Sequence, residues 1–212
     1  MRTLQQKYPL AGLNILGCDQ LSKSQTSFFA HSRIGQNGNP ESKIGDFCRQ
    51  LESWEYGSLD LAFLKLCYVD ITRETDADRL FLTYEKNMNS LQEKFPQTGI
   101  IHFTVPLKAG DNFPKSFFRK ISGSPGTGLL DNIRRNEFNE KIRGRYGAGG
   151  TLFDLAEAEA TGPDGTKAVF QYGGKNYACL ARDYTTDGGH LNESGSEKIG
   201  QNLLIYLAGK AA

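Results

Sequence analysis

Three histidines and one glycine-rich loop hold most of the chemistry that this 212-residue sequence can offer. His190 lies in the polar stretch Asp187-Gly-Gly-His190-Leu-Asn192, where no core packing calls for an imidazole. An aspartate three residues before a histidine can lay its carboxylate against the ring, which fixes the tautomer and stabilises the imidazolium of a general base. The plainer reading is a turn in which Asp187 and His190 cap the helix that follows near Asn192. His102 alternates within an apolar strand and reads as a hydrogen-bonded core histidine.

The second chemical candidate is His31-Ser32-Arg33-Ile34-Gly35-Gln36-Asn37-Gly38-Asn39, placed between a strand and a helix. Backbone N–H groups of such a loop, with the helix N-terminus behind them, can receive an anion or a developing oxyanion. Ser32 is a nucleophile there if His190 reaches it as base. Arg33 suits a ligand carboxylate or phosphate, which its planar fork binds bidentately. The alternative is a strand-to-helix turn in which Gly35 and Gly38 supply positive φ and Arg33 meets a surface acid. Loop spacing leaves the two readings even.

Elements that would position these residues follow from apolar periodicity. Residues 1–25 read as irregular, Ser27–Ala30 as a short strand, and Pro40 as the first position of a helix capped by Asn39. Ile44, Phe47, Cys48 and Leu51 give that helix its inner face. Leu59–Val69 is almost continuously apolar, as a strand covered on both sides would be, and ends at Asp70. A helix with Leu80, Tyr84, Met88, Leu91 and Phe95 on one face follows, opened by Thr75 and Asp78. Gly99–Val105 reads as a third strand. Residues 108–130 read as a long surface loop whose Phe113, Phe117 and Phe118 approach the cleft. Then come a helix over 131–146, a strand at Thr151–Leu155, a hairpin across 161–182, and a last helix opened by Ser194 and Glu197. That helix turns Ile199, Leu203, Tyr206 and Leu207 inward. Trp54 reads as a partly buried core or edge residue rather than a sugar-stacking surface. Alternating strands and helices predict a single α/β domain over residues 1–212, a three-layer α/β/α sandwich around a mostly parallel sheet. In such sheets functional residues gather at the carboxyl ends of strands, which singles out the loop after Ala30, the stretch Cys67-Tyr68-Val69-Asp70 and the segment after the third strand.

Composition narrows the classes of partner. Twenty-five Lys plus Arg against 24 Asp plus Glu leave a net charge of +1 with no basic stripe, so nucleic acid is not expected as a partner. No apolar run approaches the roughly 18 residues that span a bilayer, so no membrane partner is expected either. The N-terminal stretch has no apolar region of the roughly 7–15 residues a signal peptide needs, so the chain is expected to be cytoplasmic, or exported behind a leader outside this sequence. Cys18, Cys48, Cys67 and Cys179 have neither CxxC nor zinc-type spacing and read as free thiols; no metal or cofactor is expected.

Taken together, a nucleophile-bearing loop after the first strand, the strand end Cys67-Tyr68-Val69-Asp70 and Asp187-x-x-His190 before the last helix resemble the SGNH (GDSL-like) hydrolases, over about residues 27–206. The order Ser, Asp, His along the chain agrees. Some members of that superfamily carry a first block of the form F-x-H-x-S-V-G, similar to Phe29-Ala30-His31-Ser32-Arg33-Ile34-Gly35; position by position the family serine falls on Arg33, and Ser32 lies one residue early. Where the family has G-x-N-D, this chain has Cys67-Tyr68-Val69-Asp70, without the asparagine that donates to the oxyanion.

The resemblance implies a flavodoxin-like mostly parallel sheet and an ester hydrolase or acyltransferase with Ser32 as nucleophile, His190 as base and then acid, and Asp187 as its orienter. His31, Arg33, Gly35, Asn37 and Asp70 would bind substrate or oxyanion, and the substrate would be a small acyl ester, such as an O-acetyl group on a carbohydrate. The alternative is a non-catalytic ligand-binding protein on the same fold, with Arg33 in the place of the nucleophile. A flavodoxin-like phosphate binder ranks last, because neither G-x-G-x-x-G nor a P-loop lysine is present.

Overall fold

Side chains alternate along the most buried strand, and that alternation sorts the helices onto two faces. The computed structural model describes residues 14–22, 28–110 and 127–211. Strand β1 (Asn14–Gly17) pairs in parallel with β2 (Phe28–His31), Gly17 opposite His31. Strand β3 (Leu61–Phe63) pairs in parallel with β4 (Gly99–Phe103), which pairs in parallel with β5 (Leu152–Phe153). Ile100 of β4 packs with helices α1 (Pro40–Glu52), α2 (Ala77–Lys94) and α3 (Thr127–Tyr146), through residues such as Phe47, Leu80 and Ile142. Ile101 and Phe103 point the other way, to Leu155 of α4 (Leu155–Ala160) and Ile199 of α5 (Glu193–Ala211). On that second face the rings of Phe29, Phe63, Phe103, Phe153 and Tyr206 follow one another with centroids 4.9–5.7 Å apart, which ties β2 to the three-stranded piece. The chain is thus a mixed α/β protein with parallel sheets.

Several elements differ from their sequence-based expectation. Residues 14–17 form a strand where irregular chain is predicted. The apolar run at Leu59–Val69 is a strand only over Leu61–Phe63, then runs extended into a 3-10 turn at Tyr68–Asp70. Burial alternates along the run, with Ala62, Leu64 and Leu66 inside and Lys65 exposed, and strand pairing covers its first part alone. The α2 cap is Asp76, which accepts from the N–H groups of Asp78 and Arg79, and α5 is opened by Asn192, which accepts from Gly195. Asn39 and Pro40 open α1 as expected. The hairpin is β6 (Val169–Tyr172) with β7 (Lys175–Ala178), turned by Gly173 and Gly174, both at positive φ, as a two-residue turn of matching twist needs. His102 is buried as expected, its Nδ1 3.0 Å from the Tyr84 hydroxyl. Trp54 is partly buried beside Phe28 and Tyr56. The stretch carrying Phe113, Phe117 and Phe118 lies outside the described residues.

After β4 the chain leaves the sheet, yet Thr104, Val105 and Leu107 are all but fully buried. Leu107 N–H donates to Glu159 of α4 at 3.0 Å, and other backbone groups of this segment find partners on α3. Asn139 accepts from Val105 N–H and donates to its carbonyl, at 2.6 and 2.9 Å. Asn132 does the same for Lys108, at 3.0 and 2.6 Å. Asn136 does so for Ala178 of β7, at 3.2 and 3.0 Å. Three asparagines on one face of α3 thus take the place of a neighbouring strand, satisfying backbone groups that burial would otherwise penalise.

Candidate functional site

The glycine-rich loop is built by short-range hydrogen bonds. Gly35 sits at φ +50°, and a Cβ there would lie 2.5 Å from the Lys43 backbone nitrogen, so the loop can lie this close to α1 only with glycine. Gly35 N–H donates to Asp46 Oδ2 at 2.5 Å and Gln36 N–H to Ser42 Oγ at 2.9 Å. The Gly35 N–H, followed by the Arg49 guanidinium, holds the Asp46 carboxyl below its usual range. Gly35 N–H therefore already has a carboxylate partner and is not available to an oxyanion.

Asp70 fastens this loop to the 3-10 turn at Tyr68–Asp70. Its side chain is wholly buried; it accepts from Gly38 N–H at 2.9 Å, Cys67 N–H at 2.6 Å and Lys43 Nζ at 2.7 Å. Lys43 Nζ also donates to Asn37 Oδ1 at 2.8 Å, so the Asn37 amide is held with its oxygen inward and its NH₂ the remaining donor. Asp70 is a positioning residue with no oxygen turned to a ligand, which differs from the expected binding role. Asn37 keeps the donor that the expected role needs.

Asp187 and His190 form the predicted pair. His190 Nδ1 lies 2.6 Å from Asp187 Oδ2, and Asp187 Oδ1 accepts from the N–H groups of Gly189 and His190, each at 2.8 Å. Those N–H groups and the ring hold the Asp187 carboxyl far below its ordinary range. An ionised Asp187 fixes the tautomer with a proton on Nδ1, so Nε2 is the nitrogen that can accept one. Nε2 meets the Tyr68 hydroxyl at 3.4 Å. Gly189 permits this approach, since a Cβ there would lie 3.0 Å from the Tyr68 oxygen. Burial, first, raises the Tyr68 phenol above its usual range, which keeps its proton available to donate.

Ser32 is elsewhere in this hydrogen-bond network. Its Oγ donates to Gln50 Oε1 at 2.6 Å and is hydrogen-bonded to the Cys18 thiol, so the structure does not join it to His190. His31 and Arg33 are exposed, and neither side chain makes a hydrogen bond or ion pair among the described residues. The first described strand is β1 rather than Ser27–Ala30, so the turn that directly follows it is Cys18-Asp19-Gln20, which has no hydroxyl; Gln20 accepts from Gly17 N–H at 2.9 Å.

Three residues at the site escape the sequence reading. Tyr68 was visible as a strand-end residue but had no reason to face the base. Lys108 Nζ lies 5.5 Å from the centroid of the Tyr68 ring, and Arg135 Cζ 5.8 Å from it. Arg135, 1% exposed, donates from Nε to the Tyr68 carbonyl at 2.8 Å. The available signal was the spacing Asn132, Arg135, Asn136, Asn139: a polar helical face has no use in a core unless it serves backbone groups nearby. Among the described residues no group of three or more His, Cys, Asp or Glu is placed to hold a metal, and no helix is long and apolar enough to cross a membrane.

No family model matches the sequence, and no curated protein is similar to it in sequence. Solved structures are similar in fold. A GDSL-like lipase from Bacteroides thetaiotaomicron superposes with TM-score 0.52 at 15% identity, over 98% of this chain and 98% of that one. A protein described as "putative acylhydrolase" from Bacteroides fragilis superposes with TM-score 0.54 at 14% identity, over 92% of this chain and 84% of that one. The fold resemblance to GDSL-like hydrolases therefore runs through nearly the whole chain.

Proposed function

We propose that this chain hydrolyses or transfers a small acyl ester, with His190 as general base and Asp187 as the group that orients it. The observation that carries this reading is the exposed His190–Asp187 pair, closed at 2.6 Å through Nδ1, the geometry in which an imidazole accepts a proton at Nε2 from an attacking hydroxyl and returns it to the leaving group. The fold shared with a GDSL-like lipase and the helices on both sheet faces support placing that pair in a three-layer sandwich of SGNH type. Ser32 is the nucleophile in this reading, and substrate binding exchanges its hydrogen bond to Gln50 for one to His190. Asn37 donates to the oxyanion, and the substrate is a small acyl ester such as an O-acyl carbohydrate.

A second reading has its own observation. Ser32 is bonded to Gln50, the 3-10 turn Cys18–Gln20 after β1 has no hydroxyl, and Arg33 is exposed without a hydrogen-bond or ion-pair partner among the described residues. Those facts favour a protein that binds an anionic ligand without covalent chemistry. Intact-mass measurement after incubation with a fluorophosphonate separates the two. One adduct on the wild type, absent from Ser32→Ala and His190→Ala, is the expected result. No adduct on folded protein removes the serine route and leaves the binding reading.

A further inference from the structure

Acids and bases around Tyr68 pair off, with one exception. Asp187 meets His190 at 2.6 Å, and Asp131 lies 3.6 Å from Arg135. Asp70 meets Lys43 at 2.7 Å and is wholly buried. Lys108 alone of this group has no carboxylate within ion-pair distance among the described residues. Its ammonium stands 5.5 Å from the Tyr68 ring centroid, and the Tyr68 hydroxyl stands 3.4 Å from His190 Nε2.

Lys108 is also held unusually firmly for a half-exposed lysine. Its N–H and carbonyl are both bonded to the Asn132 side chain, the carbonyl accepts again from Leu180 N–H at 3.1 Å, and the next residue, Ala109, donates to Gly188 at 2.9 Å. Asn132 Oδ1 is in turn fixed by the buried Arg135 at 2.7 Å. A backbone fixed on three sides and an ammonium over the ring of Tyr68, whose hydroxyl meets the general base, with no carboxylate partner among the described residues, together describe a receptor for negative charge.

We propose that Lys108 and the Tyr68 hydroxyl form a subsite for a carboxylate, so that the molecule acted on at His190 is a monoanion. One cation without a carboxylate partner among the described residues matches one negative charge. A carboxylate can take Lys108 Nζ on one oxygen and the Tyr68 O–H on the other, whereas a dianionic phosphate would leave a charge unmet. The word "acted on" rests on the acyl-ester reading above; the carboxylate subsite stands on Lys108 and Tyr68 alone.

The test uses monomethyl succinate, its neutral dimethyl ester and inorganic phosphate, titrated against the full chain while the imidazole resonance of His190 is followed by NMR. The expected result is saturable binding of monomethyl succinate, a dissociation constant raised about tenfold by Lys108→Met, and recovery in Lys108→Arg to within about threefold of wild type. The dimethyl ester should bind the wild type no better than it binds Lys108→Met. Equal binding of monomethyl succinate to wild type and Lys108→Met, or a His190 resonance that does not move, would overturn the subsite. Phosphate binding tighter than monomethyl succinate and lost in Lys108→Met would overturn the carboxylate assignment. This readout needs no turnover, so a chain that hydrolyses neither ester refutes the acyl-ester reading and leaves the binding result to decide the subsite.

Discussion

Asp187 touches His190 through its backbone N–H and its ring, so a single carboxylate sets both the loop and the tautomer. Asp187→Asn keeps the shape and removes the charge that stabilises an imidazolium, and turnover of an aryl ester should fall about 10²–10⁴-fold. Far-ultraviolet circular dichroism should stay unchanged, and an undiminished rate would show that the pair only shapes the loop before α5. Because Asp187 titrates far below the ordinary carboxylate range, the acid limb of a pH–rate profile cannot be its own. This pair was legible in the sequence because its two members are three residues apart in a loop that needs neither for packing. Tyr68, Lys108 and Arg135 were not legible, because their meeting depends on where three separate elements cross. Ser32 shows what sequence neighbours leave out. Its neighbours in sequence fitted a nucleophile, while Gln50, eighteen residues on, has its hydroxyl.

At the scale of elements, α3 acts as the missing strand beside the buried segment after β4. Asn139→Leu would leave the Val105 N–H and carbonyl, both 2.6–2.9 Å from Asn139 now, buried without partners. The cost should be about 2–4 kcal/mol, read from urea unfolding; a loss under about 0.5 kcal/mol would mean the segment finds other partners. Lys43→Met leaves the Asp70 carboxylate buried without its cation and should cost about 3–5 kcal/mol. Replacing both, as Lys43→Met with Asp70→Leu, should cost less than the two single changes added together. Helices α1 and α2 were readable because their apolar faces repeat at helical spacing over several turns. Strand β1 was not, since four residues, Asn-Ile-Leu-Gly, give too short an alternation to separate from irregular chain. The α3 asparagines escaped for a physical reason too: their value lies in backbone groups of other segments, which no periodicity within α3 displays.

For the whole molecule, two buried groups tie stability to pH with opposite signs. Burial holds His102 down to about 4 from an ordinary 6.5. The unfolded chain then binds the extra proton between pH 4 and 6.5, so this residue's contribution to stability is full above 6.5 and is lost as pH falls. Burial pushes the Glu159 carboxyl up to about 7 from an ordinary 4.5, against the Leu107 N–H that lies 3.0 Å from it and favours the charge. Here the folded chain holds the extra proton, so stability falls as pH rises from 4.5 to 7. Each effect amounts to about 3 kcal/mol over its window, and the two oppose each other between about 4.5 and 6.5. Wild-type unfolding free energy should be nearly level across that interval. Glu159→Gln should expose a rise with pH and His102→Gln a fall, measured by urea titration at half-unit steps; parallel curves for all three proteins would contradict the assignment.

The account as a whole stands on His190 working as a base. The most direct measurement is kcat/KM for a short series of p-nitrophenyl esters, wild type beside His190→Ala, at matched concentrations of folded protein. Turnover by the wild type and a loss of at least about 10³-fold in the variant is the predicted result. Equal rates in the two proteins would contradict it.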